Sequence, residues 1–312
     1  MKPVTLGLDT SNYTTSVAVF DGSEGENIGH LLEVPAGSLG LRQSEALFQH
    51  VRRLPACFDE LRAMGLLDHV TAVGASTRPR SVEGSYMPCF LAGEGTARAL
   101  ADTLNAPYFP CSHQEGHLAA AAWSAGRMDL LDRDCLVWHL SGGTTELLLV
   151  RPDGVSVSAT CIGGSQDISA GQLIDRTGKG LQLAFPAGKA LDALAQSSDY
   201  QRFFPVKQKD LTFSLSGVEN QVKSLLEQGL APADIARFAL LTIANAVAET
   251  TAAALKLHPG LPVLCSGGVA SNSILRGVLR DAIFAAPRYS TDNALGVAIL
   301  ARRRLENGEG TA

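Results

Sequence analysis

The sequence predicts an α/β protein made of two related domains. An apolar run, a turn of small or hydroxyl residues and a second apolar run follow one another in residues 4–20 and again in 135–150. A third apolar run with a glycine turn occupies 263–268. One glycine turn is weak evidence, but recurrence near the start of each half indicates a duplication. We therefore expect two α/β domains that hold a nucleotide in the cleft between them.

In the first half, strands are predicted over residues 4–8 and 16–20. The hydroxyl-rich turn between them, 9–15, offers amides and hydroxyls that can donate to a phosphate. Apolar residues at helical spacing predict a helix over 41–64, ended by Gly65. It is followed by a strand over 71–76, a polar irregular segment over 79–86 and a helix over 93–104.

The segment from Ser112 to His117 predicts the start of a further helix. Ser112 and Glu115 have the spacing of a capping box, which places His113 in the first turn. His113 and His117, four residues apart, share a helix face, so their imidazoles can bind one metal ion, although polar decoration explains such a pair equally well. A third ligand must come from elsewhere. Glu115 is one position too late for the zinc-protease pattern His-Glu-x-x-His, which disfavours peptidase chemistry.

The second half begins with strands predicted over 135–140 and 146–150. Helices are expected over 167–181, 270–282 and 295–305, and over 233–257 after Pro232 and before Pro259-Gly260. Asp175 and Asp192 each lie on one face of a predicted helix, where solvent exposure or capping is the ordinary explanation. Asp292 likewise has the position of a helix N-cap.

Composition limits the classes of function. The chain has 312 residues, 46% of them hydrophobic, and a net charge of −5, which argues against a free-standing nucleic-acid binder. Its local basic runs, Arg78-Pro79-Arg80 and Arg302-Arg303-Arg304, are expected to be solvated. Six scattered cysteines without a Cys-x-x-Cys pair predict buried thiols in a reducing compartment. No signal peptide or spanning helix is apparent, so we expect a cytoplasmic protein without a membrane partner.

Six motifs in order resemble one family over nearly the whole chain. They are Leu6-Gly7-Leu8-Asp9-Thr10-Ser11, His113-x-Glu-Gly-His117, Ser141-Gly142-Gly143, Phe213-Ser214-x-Ser216-Gly217, Gly267-Gly268-Val269-Ala270-x-Asn272 and Thr291-Asp292-Asn293-Ala294. The family is the universal threonylcarbamoyl transferases that modify adenosine in tRNA, formerly labelled O-sialoglycoprotein endopeptidases. The resemblance implies the two-lobed actin, sugar-kinase and heat-shock ATPase fold, a ribonuclease H-like duplication with a central interlobe cleft. The first lobe would span 1–128, completed by 292–312, and the second lobe 129–291.

The resemblance also implies the site residues and ligands. Asp292 would join His113 and His117 as the third ligand of a metal, iron or alternatively zinc, leaving open coordination positions. ATP, AMP or an acyl-adenylate would bind residues spread over both lobes: Asp9, Ser11, His139, Leu140, Ser141, Gly142, Gly143, Asp175, Gly188, Asp192, Gly267, Gly268 and Asn272. The carboxylates suit ribose hydroxyls, and Asn272 can both donate and accept. No residue is assigned a catalytic role beyond the metal site.

The implied reaction transfers a threonylcarbamoyl group from its adenylate to the N6 amine of adenosine in tRNA. Family members commonly work with a smaller paralogue of the same fold and an ATPase subunit. This chain departs from the family at Thr14, which replaces a glutamate, at Thr144, which replaces a histidine, and in 78–86 and 166–176. These departures indicate a divergent paralogue, one with another acceptor or one that binds nucleotide without tRNA modification. The alternative functions are a non-catalytic nucleotide-binding scaffold subunit and, less favoured, a metallopeptidase.

Overall fold

The computed structural model describes residues 2–11, 13–34, 41–289 and 293–309. Within these ranges the strands are β1 Val4–Asp9, β2 Thr14–Phe20, β3 Gly25–Leu31, β4 Val70–Arg78, β5 Tyr108–Ser112, β6 Cys135–Leu140, β7 Thr145–Asp153, β8 Ser156–Ser165, β9 Gln208–Lys209, β10 Thr212–Phe213, β11 Val263–Ser266 and β12 Ile283–Phe284. The α-helices are α1 Gln43–Ala63, α2 Phe90–Leu104, α3 His113–Ser124, α4 Ala170–Gly180, α5 Gly188–Gln196, α6 Ser216–Glu227, α7 Pro232–Leu257, α8 Ser273–Val278 and α9 Leu295–Glu306.

The chain divides into two compact units. Unit 1 consists of Met1–Asp132, Arg151–Ser158 and Asp292–Ala312, and unit 2 of Arg133–Val150 and Ala159–Thr291. Unit 1 thus includes the tip of the β7–β8 hairpin, although these residues fall within the range predicted for the second domain. The reason is tertiary: at this tip, Ser156 donates to Glu115 of α3 and the carbonyl of Val155 accepts from Arg303 of α9.

Unit 1 contains a five-stranded sheet in the order β3-β2-β1-β4-β5. β1 pairs antiparallel with β2 and parallel with β4, and β4 pairs parallel with β5. Both faces of β1 are buried, so its residues Val4–Asp9 form a nearly continuous apolar run rather than an alternating one. The carboxyl end of β1 places Asp9 beside the N-terminus of α3.

Helix α9 joins unit 1 through close backbone contacts. A Cβ atom at Gly7 of β1 would lie 2.5 Å from the carbonyl oxygen of Ala294, and one at Gly296 would lie 1.7 Å from the carbonyl oxygen of Gly116. Glycine is therefore required at these positions, since any side chain would push α9 away from β1 and α3. Ala294 is further anchored where its backbone N–H donates to Ser16 Oγ at 2.7 Å.

Unit 2 contains a seven-stranded sheet in the order β12-β11-β6-β7-β8-β10-β9. Its first strand, β6, pairs antiparallel with β7 and parallel with β11, which repeats the arrangement of β2-β1-β4 in unit 1. Trp138 of β6 is fully buried and donates its indole N–H to Thr251 of α7 at 2.8 Å. The repeated strand order confirms the predicted duplication of an α/β unit.

Helix α7 is the one helix in the described ranges that is long and apolar enough to cross a membrane. In its most apolar window 67% of the residues are buried in the structure. Its composition is therefore explained by packing in the core of unit 2, where Phe238, Ile243 and Val247 are among the buried residues. This agrees with the prediction that the helix is structural.

The structure confirms whether each predicted element is a helix or a strand, with two corrections. The helix predicted over 270–282 is wrong, because Gly268–Ser271 forms a 3₁₀ turn and extended Asn272 starts the short helix α8. The helix predicted over 167–181 begins only at Ala170, because the Ser169 hydroxyl caps it. All six cysteines are free, but Cys161 is exposed, whereas burial was expected for all of them.

Candidate functional site

The capping box predicted at the start of α3 is confirmed. Ser112 Oγ accepts from the Glu115 N–H at 3.2 Å, and Glu115 Oε2 accepts from the Ser112 N–H at 2.6 Å. These reciprocal bonds satisfy two backbone donors that a helix N-terminus otherwise leaves without a partner. They fix the first turn of α3, which carries His113.

His113 is oriented by a buried carboxylate. Its Nδ1 lies 2.6 Å from Asp9 Oδ2 and 2.9 Å from Ser11 Oγ, while Asp9 Oδ1 accepts from the Ser11 N–H at 2.8 Å. Burial favours the neutral acid, but the charge of His113 and hydrogen bonds from His113 and Ser11 outweigh it and lower the pKa of Asp9 well below its usual value. An ionised carboxylate only accepts, so Nδ1 carries a proton in either protonation state of His113, and in the neutral ring Nε2 then keeps its lone pair.

The second histidine faces that lone pair. His117 Nε2 lies 2.9 Å from His113 Nε2, and the two rings are inclined at 80° with centroids 4.2 Å apart. Both side chains therefore direct the same ring nitrogen to one point. A donated hydrogen bond or a cation shared by the two nitrogens would satisfy this arrangement.

The predicted third ligand, Asp292, lies outside the described residues. In the described part of the chain, no group of three or more His, Cys, Asp or Glu side chains has the arrangement of metal ligands. The sequence did not indicate that Asp9 and Ser11 contact His113. It placed them among the nucleotide-binding residues instead. Their position directly after β1 was the only available signal, because strand ends commonly carry site residues.

Glu115 is turned away from the histidine face, as predicted, and is 6% exposed. Its carboxylate accepts from Ser81 and Ser156 at 2.5 Å each, in addition to the backbone of Ser112. Burial would raise the pKa of Glu115, but these hydrogen bonds outweigh it and lower that pKa. A carboxylate held by three donors is a poor general base, which adds to the argument against peptidase chemistry.

Unit 2 contains a cavity of about 410 Å³. Six of the residues predicted to bind nucleotide line it: Gly142, Asp175, Gly188, Asp192, Gly268 and Asn272. The sequence analysis did not select the other lining residues: Gly171, Ile174, Pro186, Lys189, Val269 and Ser271. Lys189 and Pro186 directly flank the Ala187-Gly188 pair, so their proximity in sequence was a usable signal. Val269 and Ser271 similarly lie inside the glycine motif that ends at Asn272.

Two carboxylates stiffen the cavity wall. Asp175 of α4 accepts from the Ala187 N–H at 2.8 Å and so holds the start of α5 against α4. Asp192 accepts from Asn272 Nδ2 at 2.8 Å and from the hydroxyl of Ser273, also at 2.8 Å. The side-chain oxygen of Asn272 meanwhile caps α8 by accepting from the Leu275 N–H at 3.0 Å. Of the two ordinary explanations, solvent exposure or capping, the structure favours capping, because both carboxylates accept backbone N–H groups at helix starts, Asp175 at α5 and Asp192 at α8.

The glycine turn after β6 lies at the N-terminus of α4. Ser141 Oγ accepts from the Thr144 N–H at 3.0 Å, and Ser169 Oγ donates to the Gly142 carbonyl at 2.6 Å. A Cβ atom at Gly171 would lie 2.5 Å from Gly142 Cα, so helix and turn are in backbone contact. A Cβ atom at Gly142 would meet no atom within 4 Å, so packing does not require glycine there and its backbone is open to a ligand.

The remaining predicted residues of unit 2 do not line the cavity. They are His139, Leu140, Ser141, Gly143 and Gly267. Leu140 is fully buried, and a Cβ atom at Gly267 would lie 2.1 Å from the Leu140 carbonyl oxygen. These two residues therefore have a packing role within unit 2. The basic run Arg302–Arg304 is also structural: its three residues contact Glu306, Asp132 and Glu309, respectively.

Comparison with solved structures shows the same fold. The chain is similar to component A of (R)-2-hydroxyglutaryl-CoA dehydratase from Acidaminococcus fermentans, with a TM-score of 0.58, 15% identity and coverage of 98% of this chain and 100% of the other. It is also similar to a ROK family glucokinase from Streptomyces griseus, with a TM-score of 0.53, 14% identity and coverage of 96% and 99%. At these identities the similarity supports the actin-like and sugar-kinase-like fold alone.

Comparison of sequences identifies the family. The model of the family described as tRNA N6-adenosine threonylcarbamoyltransferase matches residues 40–299. An enzyme of that name from Thermus thermophilus is 31% identical over 314 residues, which cover 97% of this chain and 93% of that protein. The one from Enterococcus faecalis is 29% identical over 305 residues, covering 90% and 82%. The chain belongs to the tRNA N6-adenosine threonylcarbamoyltransferase family, a family of transferases.

Proposed function

We propose that this protein transfers a threonylcarbamoyl group to the N6 amine of adenosine in tRNA, with an adenylate as donor. Family membership over most of the chain carries the proposal. In the reaction, N6 forms a bond to the carbamoyl carbon, the bond from that carbon to the phosphate oxygen breaks, AMP leaves and N6 gives up a proton. Only positioning and neutralisation of developing charge are required of the protein.

The cavity of unit 2 is the proposed nucleotide site. Its volume of about 410 Å³ lies within the range of small-molecule pockets. Gly142 and Gly268 both line it, and a Cβ atom at either would meet nothing within 4 Å. Two glycines that packing does not require support the close approach of a phosphate or ribose to the backbone. Asp175 accepts the Ala187 N–H through Oδ1, which leaves Oδ2 to accept from a ribose hydroxyl, whereas Asp192 already accepts from Asn272 and Ser273.

The histidine pair of unit 1 is the proposed metal site, and its geometry fits a metal. The Nδ1–H of His113 is held by Asp9, the arrangement by which proteins orient a ligating imidazole. The two Nε2 atoms lie 2.9 Å apart, so both rings could hold one ion, which the family resemblance gives as iron or alternatively zinc. We propose Asp292 as the third ligand.

When bound, the metal would supply a Lewis acid that holds the threonyl carboxylate or hydroxyl and polarises a carbonyl. Asp9 keeps the proton of His113 on Nδ1, so that Nε2 stays available as a ligand. In unit 2, Asp192 holds Asn272 and Asp175 holds the start of α5, so the cavity wall has little freedom to move. The main contribution of these residues is therefore preorganisation of the two binding sites.

We also propose a reducing, cytoplasmic location and a tRNA partner. All six cysteines are free, and burial raises the pKa of Cys57 and of Cys265 to about 12, so these two thiols stay protonated and inert. The net charge of −5 makes tRNA binding depend on local cations or on other subunits. We propose in addition that the protein works with a smaller paralogue and an ATPase subunit, as is common in the family.

A nucleotide-binding subunit without transferase activity is the second candidate. The observation that favours it is Thr144, where the family motif has a histidine. Its hydroxyl lies 2.8 Å from Ser141 Oγ within the glycine turn. A threonine engaged in this way offers no imidazole for proton transfer or charge stabilisation. The scaffold would retain the cavity and bind AMP whether or not metal is present.

One experiment separates the candidates. The metal-loaded protein is supplied with threonylcarbamoyl-adenylate and bulk tRNA, and digested tRNA nucleosides are measured by mass spectrometry together with released AMP. Transferase activity gives threonylcarbamoyl-adenosine and AMP in equal amounts above a control without protein. If no modified nucleoside forms although the same protein binds AMP in a separate titration, the transferase proposal is contradicted and the scaffold is supported.

A further inference from the structure

The most exposed large apolar side chain in the described ranges belongs to unit 2. Phe185 is 84% exposed and lies between α4 and α5, directly before Pro186, which lines the cavity. In the same unit Trp138 and Phe213 are buried and Phe203 is 40% exposed. A phenyl ring this exposed, beside a ligand cavity, leaves its face free to stack against a partner.

The backbone around Phe185 is held in place. The Leu183 N–H donates to the Gly178 carbonyl at 2.8 Å, and the Ala187 N–H donates to Asp175 at 2.8 Å. The segment is thus fixed to α4 on both sides of the phenylalanine. A ring on a fixed backbone is preorganised, which lowers the entropy lost when a partner binds.

Two lysines flank this segment. Lys179 lies in the last turn of α4, four residues before Leu183, and Lys189 lies in the first turn of α5 and lines the cavity. Both are exposed, and neither has an ion-pair or hydrogen-bond partner for its side chain among the described residues. In a chain of net charge −5, an exposed aromatic ring with unpaired lysines on both sides is a local basic and aromatic surface.

We infer that Phe185, Lys179 and Lys189 bind the acceptor RNA, with an unpaired base stacked on the ring and backbone phosphates near the lysines. Single-stranded nucleic acid is bound in this way, by aromatic stacking combined with cations. A protein partner with acidic and apolar side chains would suit the same groups, and unchanged tRNA binding by the Phe185 and Lys179 variants would point to it. The nucleotide inside the cavity is not the occupant, because Phe185 is absent from the cavity wall. The inference rests on the proposed function, which makes RNA the acceptor.

Variants of Phe185 test the stacking. Phe185→Leu keeps an apolar side chain without a π-face, and Phe185→Tyr keeps the π-face. Affinity for bulk tRNA and, separately, for AMP is measured by fluorescence anisotropy at fixed salt. We expect Phe185→Leu to weaken tRNA binding between about fivefold and a hundredfold, Phe185→Tyr to retain it, and both to bind AMP as the unaltered protein does. Phe203→Leu, at a 40% exposed ring in another loop, is the matched control and should change nothing.

Variants of the lysines test the phosphate contacts. Lys179→Gln should lower the slope of log affinity for tRNA against log salt concentration by about 0.7, the value for one contact to single-stranded nucleic acid. Lys256→Gln, at an exposed residue in the last turn of α7, should leave the slope unchanged. An unchanged slope for Lys179→Gln contradicts the assignment of that lysine.

The outcomes separate this inference from the proposed function. Equal tRNA binding by Phe185→Leu and the unaltered protein overturns the inference, as does an equal loss of AMP binding, which would place the ring in the nucleotide site. Absence of tRNA binding by the unaltered protein overturns it as well. If tRNA binds and Phe185→Leu weakens binding but no modified nucleoside forms, the inference stands and the transferase proposal fails.

Discussion

Asp9 Oδ2 and His113 Nδ1 lie 2.6 Å apart although 104 residues separate them in sequence. The contact forms because β1 and β5 lie in one sheet and α3 begins directly after β5. It fixes the tautomer of His113 and leaves Nε2 directed at His117. The proposed metal chemistry of unit 1 depends on this relationship.

Removing both imidazoles should remove the metal. We expect His113→Ala combined with His117→Ala to lose the iron or zinc that the unaltered protein retains after desalting, because two of the three proposed ligands are gone. Metal is measured by inductively coupled plasma mass spectrometry. His30→Ala, which removes a half-exposed histidine from β3, is the control. Retention of a full equivalent of metal by the double variant would show that the ligands lie elsewhere.

Replacing the carboxylate that orients His113 should weaken metal binding without abolishing it. Asp9→Asn keeps the size of the side chain but loses the charge that holds the Nδ1–H. Loss of such an orienting partner typically reduces metal affinity about 10- to 100-fold. The measurement is a competition titration with a chromophoric chelator. Asp21→Asn, at the turn after β2, serves as the matched control, and equal affinities for both variants would contradict the role given to Asp9.

The two glycines at the α4 contact should respond differently to alanine. Gly142→Ala places a methyl group in the open cavity, so the protein should fold normally and bind AMP about tenfold more weakly. Gly171→Ala places its methyl group 2.5 Å from Gly142 Cα and should lower the free energy of unfolding by about 1–3 kcal/mol. Calorimetric AMP titration and urea unfolding measure the two effects. Normal AMP binding by Gly142→Ala would argue against a nucleotide at this turn.

Glu115 should stabilise the folded protein rather than act as a general base. Glu115→Ala leaves the donors of Ser81, Ser112 and Ser156 without their acceptor, and we expect a loss of about 2–4 kcal/mol in the free energy of unfolding. Glu115→Gln keeps one acceptor oxygen and should lose less. Urea unfolding at pH 7 measures both variants. Equal stability of Glu115→Ala and the unaltered protein would show that these hydrogen bonds contribute nothing.

The contribution of Asp167 to the free energy of unfolding should depend on pH. Burial alone would raise the pKa of Asp167, but hydrogen bonds from Ser214, Ser216 and the Leu215 N–H outweigh it and lower that pKa well below its usual value. The stability it contributes is therefore fully present above the unfolded pKa, near 4, and is lost as pH falls towards the folded pKa.

We therefore expect Asp167→Ala to be less stable than the unaltered protein by about 1 kcal/mol at pH 6, a modest value because the residue is exposed. The difference should shrink at pH 3. Urea unfolding at the two pH values tests this, with Asp199→Ala as the control at an exposed carboxylate. A difference that grows as pH falls would reverse the sign of the linkage.

The sequence by itself determined the capping box and most of the predicted elements, but not the 3₁₀ turn at Gly268–Ser271. Val4–Asp9 and Cys135–Leu140 are short, largely apolar runs typical of buried strands, and Ser112 with Glu115 begins a helix through bonds that span three residues. Such local interactions depend on neighbours in the chain, so a pattern of residue types is enough to predict them. The shared helix face of His113 and His117 is also a local property, since four residues complete about one helical turn.

Only the tertiary structure decided which residues meet across long separations. Asp9 with His113, Asp175 with Ala187 and Asp192 with Asn272 are pairs that no periodicity reveals, because their proximity follows from sheet order and helix packing. It also decided that Gly171 is needed for packing and Gly142 is not. The physical reason is that a contact between distant residues depends on how the strands and helices pack. The residue types next to each partner in the sequence do not reveal that packing.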